Sequence, residues 1–152
     1  MRHIREDDLG SAAVTQLLAL HLSEMQKYSP PGSVHALDAS ALKTPDVSVY
    51  SAWDDSHLSG IGALRQIDTV HGEIKSMRTH PIFLRRGVAA DILEHIIAVA
   101  KERGYERLSL ETGSGEPFEP ALALYRKRGF ANGPAFADYV RTEFNQFLHL
   151  TL

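Results

Sequence analysis

A chain of 152 residues, 43% hydrophobic and 23% charged, sits in the ordinary globular range and is long enough to bury one core, so a single domain over 1–152 is expected. Its 16 Lys and Arg against 19 Asp and Glu leave a net charge of −3, which excludes a protein whose whole surface coats nucleic acid or an anionic membrane. Cys is absent, which excludes disulfides, thiolate zinc sites and a cysteine nucleophile; the opening MRHIREDDLG has no apolar signal core, and no apolar run nears the ~20 residues of a membrane span, so a cytoplasmic location is expected.

Met1 to Arg5 reads as a short strand. Ser11 is the predicted N-cap of a helix to about Gln26, with Leu17, Leu18, Leu20, Leu22 and Met25 as its apolar stripe. The paired prolines of YSPPGS, Tyr28 to Ser33, force a loop, and a short helix over Ala36 to Leu42 follows. VSVYSAW from Val47, LSGIGALRQI from Leu58 and VHGEIKSMRT from Val70 alternate like strands of an antiparallel meander. A helix is predicted from about Arg86 to Arg103, buried through Ile92, Leu93, Ile96, Ile97 and Ala100 and stopped by Gly104. RLSLET, Arg107 to Thr112, is a strand, and Pro117 or Pro120 opens a further helix through Tyr125 to Gly129. Strands at Phe130 to Ala131 and Phe144 to Leu152 complete an α/β (α+β) order with a mixed, largely antiparallel sheet flanked by helices.

Chemistry concentrates in HPIFLRRGVAADILEHII, His80 to Ile97, which places two arginines and a glycine at a helix mouth. The first turn of a helix carries N–H groups without intrahelical partners and the positive end of the macrodipole, so it suits a pyrophosphate. Gly87 and Ala89 let such a ligand approach the backbone, and Arg85 and Arg86 add local charge; the same residues also fit a plain helix entrance with solvated arginines. The eight histidines form no metal-binding spacing, so no metal is expected.

EIKSMRTHPIFLRRGVAADILEHII, followed by GYERLSLET and ALALYRKRGF, resembles the GNAT superfamily of acetyl-CoA-dependent N-acetyltransferases over about Leu58 to Phe130. The resemblance implies a GNAT-like sheet whose central strands splay apart, with acetyl-CoA as the acyl donor and no metal. It implies cofactor contacts from Met77, Arg78 and Thr79 on the strand and from Leu84, Arg85, Arg86, Gly87, Val88, Ala89 and Ala90 in the loop and first helical turn. Leu84 departs from the Gln or Arg usual there. A backbone N–H near Met77 is expected to polarise the thioester carbonyl, and the pantetheine arm to lie along the strand edge as a peptide would.

The resemblance also makes Tyr125 the general acid toward the leaving thiolate and ranks Glu73 narrowly ahead of Glu111 as the base. As a strand residue, Glu73 also fits a surface carboxylate paired with Lys75 on the same face. Seven residues before the tyrosine the family often has Asn; here Phe118 removes that amide. Ser33, His35, Glu111 and Asp138 are the expected acceptor-pocket residues. Expected partners are acetyl-CoA and a small or amino-acid-like amine, with a homodimer compatible and neither nucleic acid nor membrane involved. A protein N-terminus or lysine as acceptor, or a non-catalytic acyl-CoA-binding regulatory module, are the alternatives.

Overall fold

The computed structural model describes residues 1–152. The chain runs β1 (Arg2–Asp7), α1 (Ala12–Tyr28), α2 (Ala39–Leu42), β2 (Val47–Asp54), β3 (His57–Gln66), β4 (His71–Thr79), α3 (Val88–Glu102), β5 (Arg107–Thr112), α4 (Glu119–Arg128), β6 (Ala131–Asn132) and β7 (Gln146–Thr151). Seven strands form one sheet in the order β1-β2-β3-β4-β5-β7-β6, antiparallel except for β4 beside β5. This is the mixed, mainly antiparallel α/β arrangement expected, with helices on both faces.

Differences from the sequence reading lie at element ends and have local causes. Helix α3 starts at Val88 rather than Arg86, because Gly87 is left-handed (φ 80°) and forms the N-cap. The short second helix begins at Ala39 rather than Ala36, where the Asp38 side chain accepts from the Ala41 N–H, so neither Ser33 nor His35 caps it. The buried residues of α1 are Val14, Leu17, Leu18 and His21, a stripe at i, i+3, i+4 and i+7 that omits Leu20 and Leu22.

Two cores sit on opposite faces of the sheet. The larger joins Ile92, Leu93, Ile96 and Ile97 of α3 and Leu122 of α4 to Leu64, Ile74, Leu108 and Leu148 of the strands. The smaller joins Val14, Leu17 and Leu18 of α1 to Val49, Ile61 and Ala63. Helix α3 lies close to β3 because Gly60 and Gly62 present no side chain there. A Cβ on Gly60 would come within 2.6 Å of Val88 Cγ1 and 2.9 Å of Ile92 Cδ1, and one on Gly62 within 2.6 Å of Met77 Sδ.

A chain of side-chain hydrogen bonds crosses β4, β5 and β7 on the α1 side. Arg107 Nη2 donates to His71 Nδ1 (3.4 Å), His71 Nε2 meets Ser109 Oγ (2.6 Å), Ser109 Oγ meets His149 Nδ1 (2.6 Å), and His149 Nε2 meets the Pro134 carbonyl (2.8 Å). An arginine can only donate and a carbonyl can only accept, so one N–H on each ring, at Nε2, satisfies every link with all donors pointing one way.

The close seating of α3 gives a direct test. Gly60→Ala is expected to lower stability by about 1 to 3 kcal/mol, the scale of an overpacked core site, read as a lower urea midpoint with an unchanged slope.

Candidate active site

Strands β4 and β5 pair only through His71, Gly72 and Glu73 against Arg107, Leu108 and Ser109, and beyond that register no ladder joins them. The opening is a cavity of about 610 Å³ whose walls come from β4, β5, α1, α4, the loop after α1 and the start of α3. Met77, Arg78, Thr79, Leu84, Arg85, Gly87, Val88, Ala89, Ala90, Ser33, His35, Glu73, Glu111 and Tyr125 all line it. Arg86 and Asp138 do not. Arg86 lies over the Phe83 ring at 5.5 Å, and exposed Asp138 lines a shallower neighbouring depression with Arg65 and Tyr139.

A bulge in β4 sets which side chains face which wall. Ser76 has φ 56°, and Ala63 pairs with Lys75 while Ile61 pairs with Arg78, so Ser76 and Met77 together oppose Gly62 alone. After the bulge Met77 and Thr79 turn toward α3, whereas Arg78 joins Glu73 and Lys75 on the α1 side. Such a bulge leaves its extra residue out of the β3–β4 ladder.

At one end of the cavity lies the α3 N-terminus. No side chain caps it, so the first-turn N–H groups after Gly87 stay available to an anion. Arg2 ties this turn to the sheet: its Nε and Nη2 donate to Asp54 (2.7 and 3.1 Å), and its Nη1 donates to Asp91 (2.7 Å) and to the Arg86 carbonyl (3.2 Å). Those carboxylates hold the Arg2 guanidinium well above its ordinary pKa. Gly87, at φ 80°, has no atom within 3.9 Å of a hypothetical Cβ except Arg2 Nη1, so glycine is required there by backbone conformation rather than by packing.

The α1 side of the cavity is polar. Glu73 is 1% exposed and accepts from Arg65 Nε (2.8 Å), from Lys75 Nζ (3.4 Å) and from the Tyr139 hydroxyl. Lys75 also donates to Tyr139 Oη (2.7 Å) and to the His35 carbonyl (3.4 Å). Tyr139 therefore sits inside a charged cluster, and burial followed by the Glu73 charge pushes its phenol pKa up. Nothing comparable holds Glu111. Burial, reinforced by Glu73 and opposed by Lys75, pushes its carboxyl up to about 7. His35 Nε2 lies 3.7 Å from Glu111 Oε2, and burial with the Lys75 charge holds the His35 ring below its ordinary pKa.

Tyr125 forms the opposite wall. It is 6% exposed, packs edge-on to Phe130 at 5.7 Å, and burial pushes its pKa up, so it stays a proton donor at neutral pH. Phe118, in the place of the family's Asn, is buried against Phe144 (5.4 Å). Both rings leave room for Gly113 alone, since a Cβ there would fall 2.3 Å from Phe144 Cζ and 2.7 Å from Phe118 Cζ.

Sequence reasoning missed Arg65 and Tyr139 as Glu73 partners, and His21 as a cavity residue. Arg65 could have been found from the β3–β4 hairpin, where it pairs with Glu73 in register. Tyr139 lies in an irregular segment with no periodicity to betray it. No group of three or more His, Cys, Asp and Glu side chains is placed to hold a metal ion, and no helix is long and apolar enough to cross a membrane.

The family and the fold are found in known proteins. The model of the acetyltransferase (GNAT) family matches residues 14–130. YedL of Escherichia coli (strain K12), named an uncharacterized N-acetyltransferase, is 51% identical over 149 residues, covering 98% of this chain and 94% of that protein. A Klebsiella pneumoniae structure, solved as a candidate acyl-CoA N-acyltransferase, superposes with a TM-score of 0.83 at 25% identity over 100% of this chain and 98% of its own. A GNAT family acetyltransferase from Elizabethkingia anophelis with acetyl-CoA bound shares the fold at a TM-score of 0.70 and 19% identity, over 99% of this chain and 98% of that one. With the family model covering most of the chain and the splayed β4–β5 cleft in place, this protein belongs to the GNAT family of acetyltransferases.

Proposed function

We propose that the protein moves the acetyl group of acetyl-CoA to the amine of a small molecule by direct attack on the thioester. The observation that carries this reading is one continuous cavity lined by the uncapped α3 N-terminus, the β4 bulge, Glu111 and Tyr125. Its volume lies in the range of small-molecule and cofactor sites. The acetyl-CoA-bound neighbour from Elizabethkingia anophelis supports the choice of donor.

The pyrophosphate is held by the first-turn N–H groups of Val88, Ala89 and Ala90, with Arg85 on the cavity wall supplying charge. The exposed edge of β4 offers its backbone groups to the pantetheine amides as a strand edge does to a peptide. An acceptor amine arrives as an ammonium. Glu111 takes its proton, and the freed nitrogen attacks the thioester carbon. The bulge N–H at Met77 stabilises the oxyanion that forms, a role worth about 3 to 4 kcal/mol where it has been removed in other enzymes. As the carbon–sulfur bond breaks, the Tyr125 hydroxyl donates its proton to the departing thiolate, and the excess proton on the newly bonded nitrogen returns to the Tyr125 oxygen as the amide forms, restoring the phenol.

Glu111 suits the base better than Glu73 for two reasons. Its carboxyl, at about 7, is matched to neutral pH, whereas both oxygens of Glu73 are already engaged by Arg65, Lys75 and Tyr139. Glu73 is read as the anchor that holds the β3, β4 and Tyr139 side chains together.

Three outcomes test this reading. Gly87→Val forces a β-branched residue into a left-handed conformation, at a cost of about 1 to 2 kcal/mol, and crowds the phosphate; thermal stabilisation by CoA should shrink sharply in a variant that still folds. An undiminished shift would mean that the phosphates bind elsewhere.

The pH dependence separates the carboxylates. Wild-type kcat/KM should rise through about pH 7 as Glu111 ionises, and Glu111→Gln should lose that limb with a fall of roughly 10²- to 10⁴-fold. Glu73→Gln should act mainly on stability, by about 2 to 4 kcal/mol after allowing for the part-exposed Arg65. A lost pH limb in Glu73→Gln, with Glu111→Gln unchanged, would reverse the assignment.

Tyr125→Phe keeps the ring against Phe130 but deletes the donor. Single-turnover acetyl transfer should drop by roughly 10²- to 10⁴-fold with CoA affinity kept. Full activity in the folded variant would leave thiolate departure to water.

A further inference from the structure

We infer that the acceptor carries a carboxylate beside its amine, and that Arg78 binds it. This inference rests on the acetyl-transfer reading above and names the class of acceptor.

Arg78 is half-buried in the cavity wall, and its only side-chain hydrogen bond runs from Nε to His21 Nδ1 at 3.0 Å. The other two half-buried cations beside it are matched to an anion: Arg65 and Lys75 both pair with Glu73. Arg78 forms no ion pair, and its two terminal nitrogens make no hydrogen bond within the protein. Burial presses its pKa down, opposed by the charge of Glu24, one turn after His21 on α1, which forms no ion pair with it. A half-buried guanidinium without an anion is costly, and its planar fork matches the two oxygens of a carboxylate.

The direction of the side chain decides which ligand it serves. Without the bulge, Arg78 would share a face with Ile74 and point toward α3, the side on which the phosphate turn lies. The bulge turns it over to α1, next to His21, on the side of His35 and away from the α3 first turn. The guanidinium thus faces the acceptor's part of the cavity, although the Arg78 backbone borders the donor.

His21 is a positioning residue. Buried at 6% exposure, it can hold Arg78 only as an acceptor through Nδ1, which needs a neutral ring. Burial, with Arg78 and Lys75 nearby, lowers its pKa to about 3, so it is neutral throughout the working range. His21 and Met25 stand one helical turn apart on the same face of α1, and both line the cavity. An acceptor whose ammonium meets Glu111 and whose carboxylate meets Arg78 is an amino acid in the broad sense.

The test is a panel of free amino acids and ω-amino acids, each paired with its carboxamide, assayed by CoA release with wild type, Arg78→Gln, Arg78→Lys, His21→Leu and His21→Asn. Wild type should prefer at least one acid over its amide by 10-fold or more in kcat/KM. In Arg78→Gln that ratio should fall toward one while CoA affinity, measured by calorimetry, is kept; Arg78→Lys should restore part of it. His21→Leu should raise KM for the acid with kcat nearly kept, and His21→Asn, which can still accept from Nε, should recover part of the loss.

A wild type that acetylates amides or diamines as well as acids overturns the carboxylate inference and leaves acetyl transfer standing. So does a preference that survives Arg78→Gln. Loss of CoA affinity in Arg78→Gln would assign the side chain to the donor instead. If no compound is acetylated, thermal shifts of the CoA-loaded protein decide: stabilisation by an acid but not its amide, abolished in Arg78→Gln, supports the site, and no stabilisation by any acid overturns it. Failure of CoA itself to bind would remove the acetyl-transfer reading as well.

Discussion

Everything in this molecule depends on the early parting of two parallel strands. β4 and β5 share three residues of register and then diverge, leaving a row of backbone donors and acceptors on β4 without a neighbour. Unpaired strand edges inside a protein are unstable unless something else bonds to them. In the acetyl-transfer reading proposed above, the unsatisfied edge is the binding surface, so the feature that weakens the sheet is also the one that recognises a ligand.

The opening persists because both of its sides are held from outside. On the β4 side, Gly60 and Gly62 let α3 sink against the sheet, and Arg2 fastens the first turn of that helix to Asp54 across β2. On the β5 side, Gly113 admits the rings of Phe118 and Phe144, which fill the space between the strand end and α4. The Glu73 cluster then ties β3, β4 and the segment carrying Tyr139 into one wall. Of these supports only Glu73 lies in the register that joins the two strands.

Most of this frame is legible in the sequence. The buried face of α3 follows from the spacing of Ile92, Leu93, Ile96, Ile97 and Ala100, and Gly104 marks its end. Gly87 marks the mouth of α3, although the sequence pattern does not reveal its left-handed conformation, and RLSLET reads directly as β5. The bulge does not announce itself, because its left-handed residue is Ser76 rather than glycine. Strict alternation along β4 therefore assigns Arg78 to the wrong face, and with it the His21 contact is lost to sequence reasoning. Glu73 and Glu111 look equivalent for a related reason: both are strand carboxylates, and only the tertiary neighbours separate a residue gripped by two cations from one left in a desolvated cavity.

The line of hydrogen bonds through His71, Ser109 and His149 spans the same junction from which the cleft opens, and its one-way donor order makes the junction sensitive to acid. A second proton on the His71 ring would face a donor, Arg107 at Nδ1, and break the order. Burial and the Arg107 charge hold His71 below its ordinary pKa, so as the pH falls through the normal histidine range the unfolded chain takes up a proton before the folded one does. The stabilisation is complete above about pH 6.5 and drains away below it. Acidification therefore weakens the short β4–β5 junction from which the cleft opens.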